Sequence, residues 1–110
     1  MTALRIYMAQ RISAMIMVPL VFMHLGMIIY AVQGGLSAEE ILGRTRGSIF
    51  WACFYGLFVT AVSVHGAAGI RVIVTEMVSL RKGTADLLTY GIFLLLFVMG
   101  ARAVVAVTMP

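Results

Sequence analysis

Three apolar stretches, each long enough to cross a bilayer, constrain this 110-residue chain more than any motif in it. They run from Ile12 to Val32, from about Ile49 to Val74, and from about Leu87 to Val107. A hydrocarbon layer of about 30 Å takes about 20 helical residues, so each run predicts one transmembrane helix. Composition agrees: 63% of residues are hydrophobic and only 11% charged, against about 25% charged in ordinary soluble domains. A chain this short has no soluble core able to hide so much apolar surface, so lipid is the expected solvent. The expected fold is an all-α membrane protein of three transmembrane helices in a single domain, residues 1–110.

Local signals refine the three spans. Pro19 lies inside the first, where lipid-embedded helices tolerate a proline and a bend is expected. Gly34 and Gly35 end that helix. Ser37-Ala-Glu-Glu40 reads as a cap opening a short surface helix. Trp51 and Tyr55 suit an interfacial aromatic belt, and Arg102, in the last turns of the third span, can extend outward to water. The first run is too long for the core of a cleavable leader and has no small-residue cleavage site ahead of a polar domain. It is expected to stay in the membrane.

The net charge of +4 does not indicate nucleic acid, because the basic residues edge the apolar runs rather than forming a patch interleaved with aromatics. Arg5, Arg11, Arg71, Arg81 and Lys82 fall on one side, and Arg44, Arg46 and Arg102 on the other. That asymmetry predicts a cytoplasmic N-terminus, and the expected location is a bacterial inner membrane. Cys53 is the lone cysteine, so neither a disulfide framework nor a cysteine metal site is expected. Met15, Met17, Met23 and Met27 form no tight cluster and read as packing residues. Glu76 and Asp86, beside Arg81 and Lys82, read as a solvated rim, and Arg44 and Arg46 as solubilising loop residues.

Ionisable residues inside a membrane are costly, which makes them functional candidates. The second span carries Ser63-Val-His65-Gly66-Ala-Ala-Gly69-Ile-Arg71, followed by Glu76. Ala61, Ala68 and Gly69 share the helical face of His65 and predict a shallow groove beside its imidazole. A flat macrocycle needs such a groove to reach a ligating nitrogen. Arg71 lies about 9 Å further along, within reach of a haem propionate. The same small residues equally suit a histidine hydrogen-bonded across a close helix contact. Spacing leaves both readings open.

The segment His65-Gly-Ala-Ala-Gly69-Ile70-Arg71, with an acidic residue five positions later, resembles the cytochrome b membrane-anchor subunits of succinate dehydrogenase and fumarate reductase, the respiratory complex II family. There a His-x-x-x-Gly-Ile-Arg segment on the second span carries an axial haem b ligand. Gln10-Arg11-Ile12-Ser13-Ala14 is similar to the family's His-Arg-x-Ser/Thr-Gly entry, with Gln10 in place of the histidine and Ala14 in place of the glycine. Tyr7 stands where one branch has a quinone-binding serine. The resemblance implies half of a heterodimeric haem-binding helical bundle, with His65 as haem iron ligand and Arg71 and Gly69 at the cofactor. It also implies Arg11, Ser13 and Tyr7 at a quinone site, with quinone as substrate. The implied partners are a second membrane-anchor subunit, an iron–sulfur subunit and a flavoprotein subunit, so the chain would be non-catalytic alone.

His24 is the second intramembrane histidine, about 20 Å along the helix from Arg11. If Arg11 and Arg71 mark one membrane face, His24 lies about 10 Å deeper than His65. The two should not share an iron. Either His24 ligates a second haem b, as in two-haem branches of the family, or it is a packing residue. The rival reading of the whole chain is a haem-free helical packing subunit or a small transporter protomer, with His65 and Arg71 along a polar path.

Overall fold

The chain is a computed structural model describing all 110 residues. It has four helices, α1 Ala3–Gly34, α2 Ala38–Thr45, α3 Ile49–Met77 and α4 Lys82–Thr108. The three long ones are apolar enough to cross a membrane, and α2 is the short helix expected after Gly35. Its capping box is complete. The Ser37 hydroxyl accepts from the Glu40 N–H at 3.2 Å, and the Glu40 carboxylate accepts from the Ser37 N–H at 3.1 Å. The Ser37 bonds to that carboxylate, the side-chain one first, hold the Glu40 carboxyl below its ordinary pKa.

Two helices outrun their apolar stretches. α1 begins at Ala3, nine residues before Ile12, with Thr2 as cap accepting from the Arg5 N–H at 3.2 Å. α4 begins at Lys82, five residues before Leu87. Hydropathy marks only the lipid-facing length of a helix; the cap marks where its backbone pairing starts. Pro19 lies within α1, which continues unbroken as an α-helix to Gly34.

The spans are ordered α1–α3–α4 in space. α3 packs against both neighbours, whereas α1 and α4 scarcely meet. Only 12 of the 110 residues are buried, five of them on α3. Lipid or partner protein must therefore cover most of the apolar surface, including Met15, Phe22, Leu87 and Leu94. Glycines set the α3–α4 approach. A Cβ at Gly100 would meet Val59 at 2.5 Å, and one at Gly66 would meet Leu96 at 3.1 Å.

The proximal end, where α1 starts, also holds the α3–α4 turn. The distal end holds α2. Here the chain closes on itself. The Thr45 hydroxyl donates to the Val107 carbonyl at 2.7 Å, and the Gly47 N–H donates to Thr108 at 2.7 Å. Arg44 donates to the Gly35 carbonyl at 2.6 Å and lies over the Tyr30 ring at 5.4 Å. The C-terminal carbonyls of two transmembrane helices, which have no intrahelical donors, are thus met from one short segment. Arg44 is a clamp here, more than a solubilising residue. Gly47, at φ 76°, turns its N–H toward Thr108 in a conformation that other residues rarely adopt.

Candidate functional site

α1 turns one stripe toward α3: Ile6, Gln10, Ser13, Met17, Leu20 and His24 are its buried or half-buried positions at three- and four-residue spacing. His65 on α3 meets this stripe. Its Nδ1 lies 3.2 Å from the Gln10 carbonyl oxygen and 3.4 Å from the Ser13 hydroxyl. Ser13 is 4% exposed, and its hydroxyl proton is directed to the Ala9 carbonyl at 2.6 Å and Gln10 at 3.0 Å. Toward His65, both oxygens can therefore only accept. The neutral imidazole must carry its proton on Nδ1, which leaves the Nε2 lone pair free. Nε2 makes no hydrogen bond within the chain.

This is the donor chemistry that an axial haem ligand requires. Metal-bound histidine usually donates its second ring N–H to a carbonyl or carboxylate, which sets tautomer and orientation. No three His, Cys, Asp or Glu side chains converge anywhere in the chain. The neighbours of His65 divide into two kinds. Ala61 and Ala68, 5% and 3% exposed, are buried in the helix packing, so the groove expected beside them is closed. Gly69 is different. A Cβ there would meet Gln10 Nε2 at an ordinary 3.5 Å, so nothing inside this chain demands glycine. It is half-buried beside the Gln10 side chain. The residues present fit a single nitrogen donor to a metal, His65 Nε2.

Arg71 reaches across to α4. Its Nη1 donates to Asp86 at 2.6 Å and to the Thr89 hydroxyl at 3.1 Å, with the side chain 11% exposed. The Met1 amino group lies 3.2 Å from the same carboxylate. Asp86 is therefore half of an interhelical ion pair and not simply a solvated rim residue. The hairpin contains the signal for this, since Arg71 lies seven residues before Val78 and Asp86 eight after it. An open groove of about 460 Å³ runs between the proximal ends of α1 and α3, lined by Tyr7, Gln10, Arg71 and Thr75 among others.

The three residues expected at a quinone do not converge. Tyr7 and Arg11 are one turn apart, with the guanidinium 5.7 Å from the ring centroid, on the exposed side of α1. Ser13, two residues past Arg11, is rotated about 200° away and faces α3. It sits with His65 instead.

His24 occupies a different setting. Its ring meets Tyr55 and Phe58 of α3 edge-on, at 5.9 and 5.3 Å between centroids. Those residues lie seven to ten positions before His65, about 10–15 Å by helical rise, so the two histidines sit at different levels. His24 Nδ1 is buried with no hydrogen-bond partner. The side chain borders an apolar cavity of about 340 Å³ with Tyr55, Phe58, Gly100 and Val104, near Thr45 of α2. An N–H on Nδ1 would be orphaned at a cost of about 1–3 kcal/mol. Neither ring nitrogen of His24 is fixed by a hydrogen bond within the chain, in contrast to the Nδ1 of His65.

A family model for the succinate dehydrogenase/fumarate reductase transmembrane subunit matches residues 2–105. No curated protein and no solved structure matches the chain.

Proposed function

The chain belongs to the succinate dehydrogenase/fumarate reductase transmembrane subunit family, and from that premise we propose that it is a haem b-binding membrane anchor of a succinate:quinone oxidoreductase. It pairs with a second anchor subunit and holds the iron–sulfur and flavoprotein subunits at its proximal end. That end, with Arg5, Arg11, Arg81 and Lys82, faces the cytoplasm of a bacterial inner membrane. The observation that carries the reading is His65, its Nδ1 between two accepting oxygens and its Nε2 free.

Each residue has a physical part in this role. His65 would hold the iron through Nε2, and the partner anchor would supply a second donor. Gly69 keeps the adjoining turn bare of a side chain. Haem b, when bound, accepts and returns single electrons. Arg71, already neutralised in part by Asp86, offers its remaining guanidinium nitrogens to a propionate. Tyr7 and Arg11 place a hydroxyl and a cation at the membrane edge, where they stabilise charge developing on a quinone oxygen. For His24 to ligate a second haem through Nε2, its Nδ1 would have to hold a proton for which the chain offers no acceptor. We therefore assign one haem, at His65.

A haem-free packing subunit is the second reading. It is favoured by the burial of Ala61 and Ala68 beside a histidine that bonds across the helix contact. Purified membranes separate the two. With haem at His65, the reduced sample shows a b-type spectrum at one haem per flavin, and His65→Ala abolishes it. A wild-type complex with flavin but no b-type absorbance selects the packing subunit.

A further inference from the structure

We infer that Ser13 is a positioning residue for the haem ligand: with the Gln10 carbonyl it fixes the tautomer and the ring angle of His65, and so the character of the bond Nε2 makes to iron. The inference rests on the haem reading above and gives Ser13 a role apart from the quinone.

The geometry is specific. The Gln10 carbonyl alone, at 3.2 Å, holds Nδ1 at a distance but leaves the ring able to swing about its bond to Cβ. The Ser13 hydroxyl, one turn along the same face at 3.4 Å, places a second acceptor beside the same N–H. Two acceptors bracket it, and the ring angle follows. The hydroxyl itself cannot rotate away to become a donor toward His65, because the Ala9 carbonyl takes its proton at 2.6 Å. Burial at 4% exposure keeps water from replacing it. The ring angle decides where the Nε2 lone pair points. The acceptors on Nδ1–H decide how basic that lone pair is, and stronger donation favours the oxidised iron.

Ser13→Ala removes one acceptor and leaves the other. In the purified four-subunit complex, haem should be retained at the wild-type ratio to flavin. Its midpoint potential should rise, and the g-values of the oxidised haem, which report ligand-plane orientation, should move. Haem transfer to an apoprotein scavenger should run about 10-fold faster, at the low end of supporting-residue effects. Ser13→Thr keeps the hydroxyl on the same helical bond and should restore all three. A Ser13→Ala complex with wild-type potential, g-values and transfer rate overturns the inference, as does failure of Ser13→Thr to restore them. His65→Ala separates the ligand from its support. Haem surviving His65→Ala overturns the ligand assignment together with this inference. Haem lost there, with Ser13→Ala indistinguishable from wild type, overturns the positioning role alone.

Discussion

His65 and His24 are both half-buried imidazoles on the α1–α3 contact, yet their surroundings differ in every respect that matters to a ligand. Around His65 the polar atoms are paired: Nδ1 with Gln10 and Ser13, and one helical face away Arg71 with Asp86 and Thr89. Around His24 the neighbours are aromatic edges and an apolar cavity, and Nδ1 has no partner. Depth in the membrane and residue type are therefore poor guides to a metal-binding histidine. On the haem reading, what distinguishes the two is whether the nitrogen that would not bind metal already has somewhere to put its proton. The proximal end is organised for chemistry. The distal end is organised for closure, with its hydrogen bonds spent on helix ends.

That contrast can be broken from either side. Chemistry at the proximal end should be separable from folding. Arg11→Ala is expected to lower quinone reduction by the intact complex about 100-fold, the cost of losing one charge-stabilising donor. Succinate oxidation by an artificial acceptor and haem content should stay unchanged. Equal loss in both assays would remove Arg11 from the quinone site. At the distal end the reverse is expected. Gly100→Val drives a side chain into Val59 and should cost about 1–3 kcal/mol of stability, read as detergent-resistant melting, with no change in the haem spectrum. A spectral change there would tie the distal cavity to a cofactor. His24→Leu is a finer probe. Replacing an orphaned polar group with an apolar one should leave stability unchanged or raise it by about 1 kcal/mol, with one haem per flavin retained. Loss of haem in that variant would give His24 an iron.

The smallest effect concerns α2. The Glu40 carboxyl titrates below its ordinary value because Ser37 bonds its ionised form. Its contribution is therefore present above the unfolded-state pKa and fades as pH falls through the lower, folded one. Glu40→Gln should flatten only that acid limb of the melting curve. Identical acid limbs would show that the capping box adds nothing measurable.

The spans were legible because lipid writes them in plain hydropathy, and the α2 cap because Ser37 and Glu40 stand at the spacing a capping box needs. Lateral placement was less accessible. Ala61, Ala68 and Gly69 share a helical face with His65, but a helical wheel does not say how deeply each is covered; the alanines are buried, and the glycine is half-buried beside Gln10. Arg11 and Ser13 are close in sequence and opposed in space, a separation that helical periodicity states once α1 is known to face α3. Arg71 and Asp86 could be paired only by folding the α3–α4 hairpin at its turn. The Arg44 clamp on Gly35 depended on a loop path that no propensity encodes.

The distal closure also has a clock in it. Thr45 finds its acceptor 62 residues later in the chain, in the last turn of α4. At synthesis rates of about 5–20 residues per second, those residues take about 3–12 s to appear. α3 itself is made in the first half of that interval, and through the second half α1 and α3 can lie in the membrane while the segment joining them remains unlatched. The final span does more than add a third crossing: its arrival supplies the carbonyls that the loop made much earlier is waiting to bond, so insertion of the last helix and completion of the loop are a single event.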